Sequence, residues 1–113
     1  MKEVAAGVYV FYQPVLEVNV GLIVGGEAAL VVDTLSTDAQ AVELLAAVRR
    51  VTSLPLQAVN THHHFDHSFG NAVFAAQGAP IWGQEEAAAL LRTRGNLMRD
   101  RWCDEYAATE PAL

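Results

Sequence analysis

An α/β fold follows from three features of this sequence. Apolar, β-branched runs punctuated by glycine and proline fill the first third of the chain, and a helical period then alternates with a further short apolar run. All four histidines stand within six consecutive positions directly behind that run, in Thr61-His62-His63-His64-Phe65-Asp66-His67. Strands in succession, then helix and strand in alternation, give a mixed sheet with helices packed on it.

The first strand is Gly7-Val8-Tyr9-Val10-Phe11-Tyr12, bounded by Gly7 and Pro14. Residues 17–24 form the second, alternating polar and apolar before becoming wholly apolar. Gly25-Gly26 closes a hairpin to Ala28-Ala29-Leu30-Val31-Val32, with glycine expected to supply the positive φ of a tight turn. These strands predict an antiparallel meander. Thr37 with Gln40 three residues on has the pattern of a capping box, and Ala41, Leu44, Leu45, Val48 and Val51 share one helical face. Arg49 and Arg50 suit the negative end of that helix, and Pro55 marks its exit. Leu56 to Asn60 is the next strand, expected to return by a right-handed crossover parallel to an earlier one.

Phe69 to Gln77 reads as a short helix closed by Gly78 and stopped by Pro80, with its positive end beside Asp66 and His67. Ile81-Trp82 reads as a short buried strand and residues 84–94 as a helix. The tail from Gly95 to Leu113 carries Met98, Trp102 and Tyr106 at spacings of four. That stripe belongs to an amphipathic helix over a sheet face, or to one that has lost its partner.

A length of 113 residues predicts one small domain, 1–113. Hydrophobic content of 52% against 18% charge excludes a disordered acidic tail, because such a chain can offset its ordering entropy by burial. A net charge of −6 with no basic run argues against nucleic acid. The lone Cys103 excludes an intrachain disulfide and a cysteine-built zinc site. Met1 to Gly7 lacks the apolar core of a signal peptide, and Gly25-Gly26-Glu27 interrupts the apolar stretch from Val18 to Val32. The expectation is therefore a cytoplasmic chain with no membrane partner.

The histidine cluster carries the chemistry. If the strand's period of two continues into the motif, His62 and His64 point to the same side and His63 to the other. Two imidazoles then converge on one point, while Asp66 and His67, past the strand end, can aim at a second point beside it. Imidazole nitrogen and carboxylate oxygen both hold zinc, and paired metals can share a water made nucleophilic at neutral pH. Two plainer readings compete: a surface loop with adventitious metal affinity, and a decayed site kept for structure. A purification tag is excluded, since tags are terminal and uninterrupted whereas Phe65 and Asp66 break this run.

His62-x-His64-x-Asp66-His67 behind a short apolar strand resembles the signature of the metallo-β-lactamase superfamily, and the resemblance extends in order and spacing from about Gly7 to Gln84. Thr61 before the motif and Gly70-Asn71 behind it are most similar to the glyoxalase II-like hydrolases, and Ala29 to Thr34 resembles the family strand ending in an aspartate, here Asp33, that supports the metal loop. The resemblance implies the N-terminal half of a four-layer αββα sandwich. It implies up to two zinc ions, the first held by His62 and His64 and the second by Asp66 and His67, with Asp66 also orienting a metal-bound hydroxide. That hydroxide would open an ester, thioester, lactone or lactam bond of a small-molecule substrate.

No histidine follows His67, although the family completes both metal sites with ligands further on. Asp100, Cys103, Asp104 and Glu105 offer donor atoms, but their spacing matches no family motif and reads as a solvated helix face. The expectation is a hydrolase half that is weakly active alone and that self-associates or works with a missing C-terminal half. The alternative is a noncatalytic metal-binding or protein-interaction module derived from the same fold.

Overall fold

In the structure, a computed structural model describing residues 1–107 and 109, one six-stranded sheet keeps its strands in chain order. They are β1 (Lys2–Ala5), β2 (Val8–Gln13), β3 (Val18–Val24), β4 (Ala29–Val32), β5 (Leu56–Val59) and β6 (Ile81–Trp82). The first four are antiparallel, and β5 and β6 continue the sheet in parallel from β4. The meander and the parallel return after a helix agree with the sequence. An added edge strand, β1, precedes them; all four of its residues are exposed, so its apolar pattern carried no signal.

Helix α1 (Asp38–Val51) makes the crossover from β4 to β5. Thr37 caps it by accepting from the Gln40 N–H at 3.1 Å, while the Gln40 side chain reaches back to accept from the Ser36 N–H at 3.0 Å. The capping pair thus closes one residue earlier than a standard box. At the exit, Arg49 Nη1 donates to the Leu54 carbonyl at 2.6 Å and ties the chain toward β5. The hairpin at Gly25-Gly26 corrects an expectation, because neither glycine has a positive φ. Space decides Gly25 instead, since a Cβ there would stand 2.9 Å from the Ala28 carbonyl oxygen.

The core lies on one face of the sheet. Val18, Val20 and Leu22 of β3, Ala29 and Val31 of β4, and Leu56 and Ala58 of β5 point inward at every second position. They join Ala41, Leu44 and Val48 of α1 and Phe74 of α3 (Asn71–Ala75) in one cluster. Each such large aliphatic side chain stabilises the fold by about 1.5 to 3 kcal/mol when fully buried. On the opposite face Tyr12, Ile23 and Trp82 are left at 53%, 45% and 57% exposure. Trp82 therefore corrects the reading of a buried strand at 81–82.

The helix expected over 69–77 begins earlier, and it breaks. Helix α2 spans Phe65–Ser68, and α3 follows after a gap at Phe69-Gly70. The cause is distant in sequence: the Gly70 N–H leaves the helical ladder to donate to the Leu35 carbonyl at 3.1 Å. Asp66 and His67 consequently ride on a helix of their own, with Asp66 in its first turn.

Helix α4 (Glu85–Tyr106) is continuous through Gly95, joining two segments that the sequence separated. Its aromatic stripe meets α2 and not the sheet, with Trp102 and Tyr106 packing on Phe65 at centroid distances of 5.0 and 6.0 Å. Residues 108 and 110–113 of the predicted tail lie outside the described residues. Among those described, no helix is long and apolar enough to cross a membrane.

Candidate metal centre

Strand β4 ends at a backbone feature that fixes the centre. Asp33 and Leu35 both adopt left-handed backbone, with φ of 71° and 70°, and both are buried. Non-glycine residues occupy this region at some cost, and such strain gathers where the surroundings over-determine the chain. Here the turn drives the Asp33 carboxylate under the histidine loop. Its Oδ1 accepts from the Thr61 N–H at 2.7 Å, and its Oδ2 lies 2.8 Å from Thr61 Oγ1 and 2.7 Å from His67 Nδ1.

Those contacts determine two tautomers. A carboxylate only accepts, so the contact with Asp33 places a proton on His67 Nδ1, and in the neutral ring Nε2 is then the atom that holds the lone pair. Thr61 spends its single hydroxyl hydrogen on Asp33, so its oxygen can only accept from His62 Nδ1, 2.8 Å away. His62 Nε2 is freed in the same way. One buried carboxylate thereby sets both rings, the arrangement by which metal-binding histidines are commonly oriented.

The side chains of the motif lie near one another, though not by strand alternation. Strand β5 stops at Val59, and residues 60–64 form an irregular bend. The His62 ring lies 4.7 Å from His64 and 4.3 Å from His67, centroid to centroid. His63 packs edge-on against His64 at 4.9 Å while its carbonyl accepts from Ser68 Oγ at 3.1 Å. His62 has its pKa lowered, first by burial and then by the neighbouring His67 and His64, against the opposing pull of Asp33 and Asp66. Its neutral, ligating form is favoured.

Asp66 Oδ2 stands 3.5 Å from His67 Nε2. Two ligands of one tetrahedral zinc ion sit about 3.4 Å apart when each bond is about 2.1 Å, so this pair has the spacing that an ion requires. The donor types fit zinc as well. Their number at each point is smaller than catalytic zinc takes: among the described residues, no three such groups are gathered closely enough to hold an ion by themselves. Asp100, Cys103, Asp104 and Glu105 stand exposed on α4 and bring no further ligand to the centre. A cavity of about 250 Å³ is lined by Phe65, Phe69, Arg99, Trp102 and Cys103 among others, and touches none of the four donors.

Thr34, Asn60 and Asn71 support the loop from below and had no assigned role in the sequence reading beyond the family flanks. Their only sequence signal is position, as polar residues at the ends of apolar strands or directly behind the motif.

Fold and donors together define a metallo-hydrolase-like α/β half-domain, and the comparisons with known proteins agree. The family model of the metallo-beta-lactamase superfamily matches residues 14–105, and the chain belongs to that superfamily. Among solved structures, it is similar to a metallo-beta-lactamase from Erythrobacter litoralis, crystallised with beta-mercaptoethanol in its active site, at 27% identity and a TM-score of 0.70. That match covers 83% of this chain and 45% of the other. A metallo-beta-lactamase from Hirschia baltica is similar at 24% identity and a TM-score of 0.67, over 82% of this chain and 46% of that one. FIM-1 from Pseudomonas aeruginosa, in its mono-zinc form, shares the fold at 20% identity and a TM-score of 0.67, over 83% and 45% of the respective chains. The chain thus spans about half the length of the structures it matches, and corresponds to the N-terminal half of their fold. A search of curated proteins found no match.

Proposed function

We propose that this chain is the metal-binding half of a zinc-dependent hydrolase acting on an ester, thioester, lactone or lactam bond of a small molecule. The carrying observation is the Asp33 carboxylate, which holds His67 directly and His62 through Thr61 so that both Nε2 atoms are free. His62 and His64 would hold one ion, and Asp66 and His67 a second. Zinc bound there supplies a Lewis acid and lowers the pKa of a coordinated water. Asp66 would orient that nucleophile, and the lowered pKa of His62 favours its unprotonated nitrogen.

Turnover by the chain alone is expected to be slow. With fewer than three donors to each ion, the reacting groups are loosely held, and a misplacement of about 1 Å costs roughly a hundredfold in rate. A whole catalytic domain would draw its remaining ligands from residues beyond these 113 or from a second chain. The test is hydrolysis of nitrocefin, a thioester and a lactone by the zinc-loaded chain, beside Asp66→Ala. The proposal expects weak turnover that Asp66→Ala abolishes; equal rates in both proteins would refute the assignment of Asp66. The panel spans both the lactamases that the chain resembles in structure and the glyoxalase II-like enzymes that Thr61 and Gly70-Asn71 resemble.

The uncovered sheet face favours a second reading, a noncatalytic module that meets a partner or another copy through Tyr12, Ile23 and Trp82. Zinc binding without any hydrolysis, together with concentration-dependent dimers on sizing with light scattering, would select it. The lone Cys103 suits a reducing cytoplasm, and no nucleic-acid or membrane partner is proposed.

A further inference from the structure

The loop that carries all four donors is closed at its base by two asparagines. Asn60 Nδ2 donates to Asn71 Oδ1 at 2.9 Å, and Asn71 Nδ2 returns the bond to Asn60 Oδ1 at 2.7 Å. The same Asn60 Nδ2 reaches the His67 carbonyl at 3.3 Å, which as a pure acceptor fixes which way the Asn60 amide points and hence how Asn71 must face it. Thr34, fully buried, gives its hydroxyl hydrogen to Asn71 Oδ1 at 2.8 Å and its backbone N–H to the His67 carbonyl at 2.9 Å. No buried side-chain nitrogen or oxygen lacks a partner among the described residues.

We infer that Asn60 and Asn71 form a positioning clamp for His67. The clamp and Thr34 hold the His67 carbonyl while Asp33 holds its ring, so the residue is fixed at two ends and its Nε2 is aimed before any ligand arrives. A reciprocal amide pair suits this task because it ties the two loop ends without adding charge beside the donors. Neither asparagine side chain makes a contact with Nε2 itself. Both act through His67.

Substitution of Asn71 by alanine is a usable test. The pair borders a cavity of about 160 Å³ lined also by Ile81, Trp82 and Ala87, roomy enough for water to take over the lost hydrogen bonds. The variant should fold while its loop loosens. The measurement is two-bond proton–nitrogen NMR of the histidine rings at pH 8 without added metal, with the backbone amides of Val20, Leu22 and Val31 as the record of an intact sheet. In the parent chain His67 should show a single Nδ1–H tautomer. In Asn71→Ala it should lose that single form and average between tautomers while the sheet amides stay in place.

A single Nδ1–H tautomer in a folded Asn71→Ala overturns the clamp. Should that variant not fold, Thr34→Val is read instead: it removes one bond to Asn71 at almost unchanged shape and should likewise mix the tautomers, and Thr34→Ser should restore the single form. An unmixed tautomer in Thr34→Val is then the overturning result. A second measurement extends the inference toward metal and rests on the zinc reading above: Asn71→Ala should weaken zinc binding about tenfold in a chelator competition, near the low end for groups that orient ligands. If the parent chain binds no zinc, the zinc reading fails, and the tautomer result still decides the clamp.

Discussion

The two sides of the sheet differ in how completely they are built. On the helix side, β4, β5 and α3 meet under the donor loop, and Thr34, Asn60 and Asn71 bond to one another there while Asp33 holds the loop itself. On the other side Tyr12, Ile23 and Trp82 are about half exposed, and no helix covers Tyr12 and Ile23 among the described residues. The contrast teaches that the donors are aimed by the part of the fold present in this chain, independently of whatever covers the bare face. Positioning and completion of the site are separate tasks.

The largest expected effect strikes the built side. A Cβ on Gly70 would stand 2.0 Å from the Thr34 carbonyl oxygen and 2.7 Å from Ala41 Cβ, where rigid backbone cannot yield. Gly70→Ala should therefore cost about 3 kcal/mol, the upper end of ordinary overpacking, as a lowered urea midpoint. A midpoint equal to that of the parent chain would mean that the loop does not pack on Thr34 as described.

Next comes Asp33. Asp33→Ala strips the acceptor from the Thr61 N–H, the Thr61 hydroxyl and His67 Nδ1 together. Zinc affinity should fall about 10- to 100-fold, the usual loss when a group that orients a metal ligand is removed. Competition with a chelator reads this. Unchanged affinity would detach the carboxylate from the metal loop.

The bare side should answer differently. Ile23→Glu places a charge on a side chain that is already 45% exposed, so its stability should stay within about 0.5 kcal/mol of the parent chain. The same substitution should disperse any self-association seen by light scattering. A large loss of stability in the dilute monomer would show that this face is covered after all, and the comparison of the two sides would break.

The smallest expected effect is in pH. Because the folded chain holds the pKa of His62 below its ordinary 6.5, the unfolded state binds more protons just under that value. The contribution of His62 to stability is constant above pH 6.5 and declines as pH falls through the window between the unfolded and folded pKa values. His62→Gln should flatten that part of the stability profile, and an unaltered slope would remove His62 from it.

Particular residues show why some of this was legible in the sequence and some was not. Strands β2 to β5 and the cap of α1 could be read because alternation and the Thr37–Gln40 pair are local signals. The donor motif could be read because its residue types are rare and dense. By contrast, β1 is four residues long and exposed throughout, and it exists through pairing with β2. The break at Gly70 is set by Leu35, thirty-five positions earlier, and the Asn60–Asn71 pair becomes visible only once the loop has closed. Strand alternation placed His62 beside His64, and their rings do lie 4.7 Å apart, but the bend after Val59 brings them there and alternation does not.

The central claim is that His62 is a metal ligand held ready by Asp33 through Thr61, and isothermal titration of the chain with zinc tests it most directly. His62→Ala should weaken binding at least tenfold, or about 1.4 kcal/mol, whereas His63→Ala should change it far less. Equal zinc affinity in the parent chain and in His62→Ala would contradict the account.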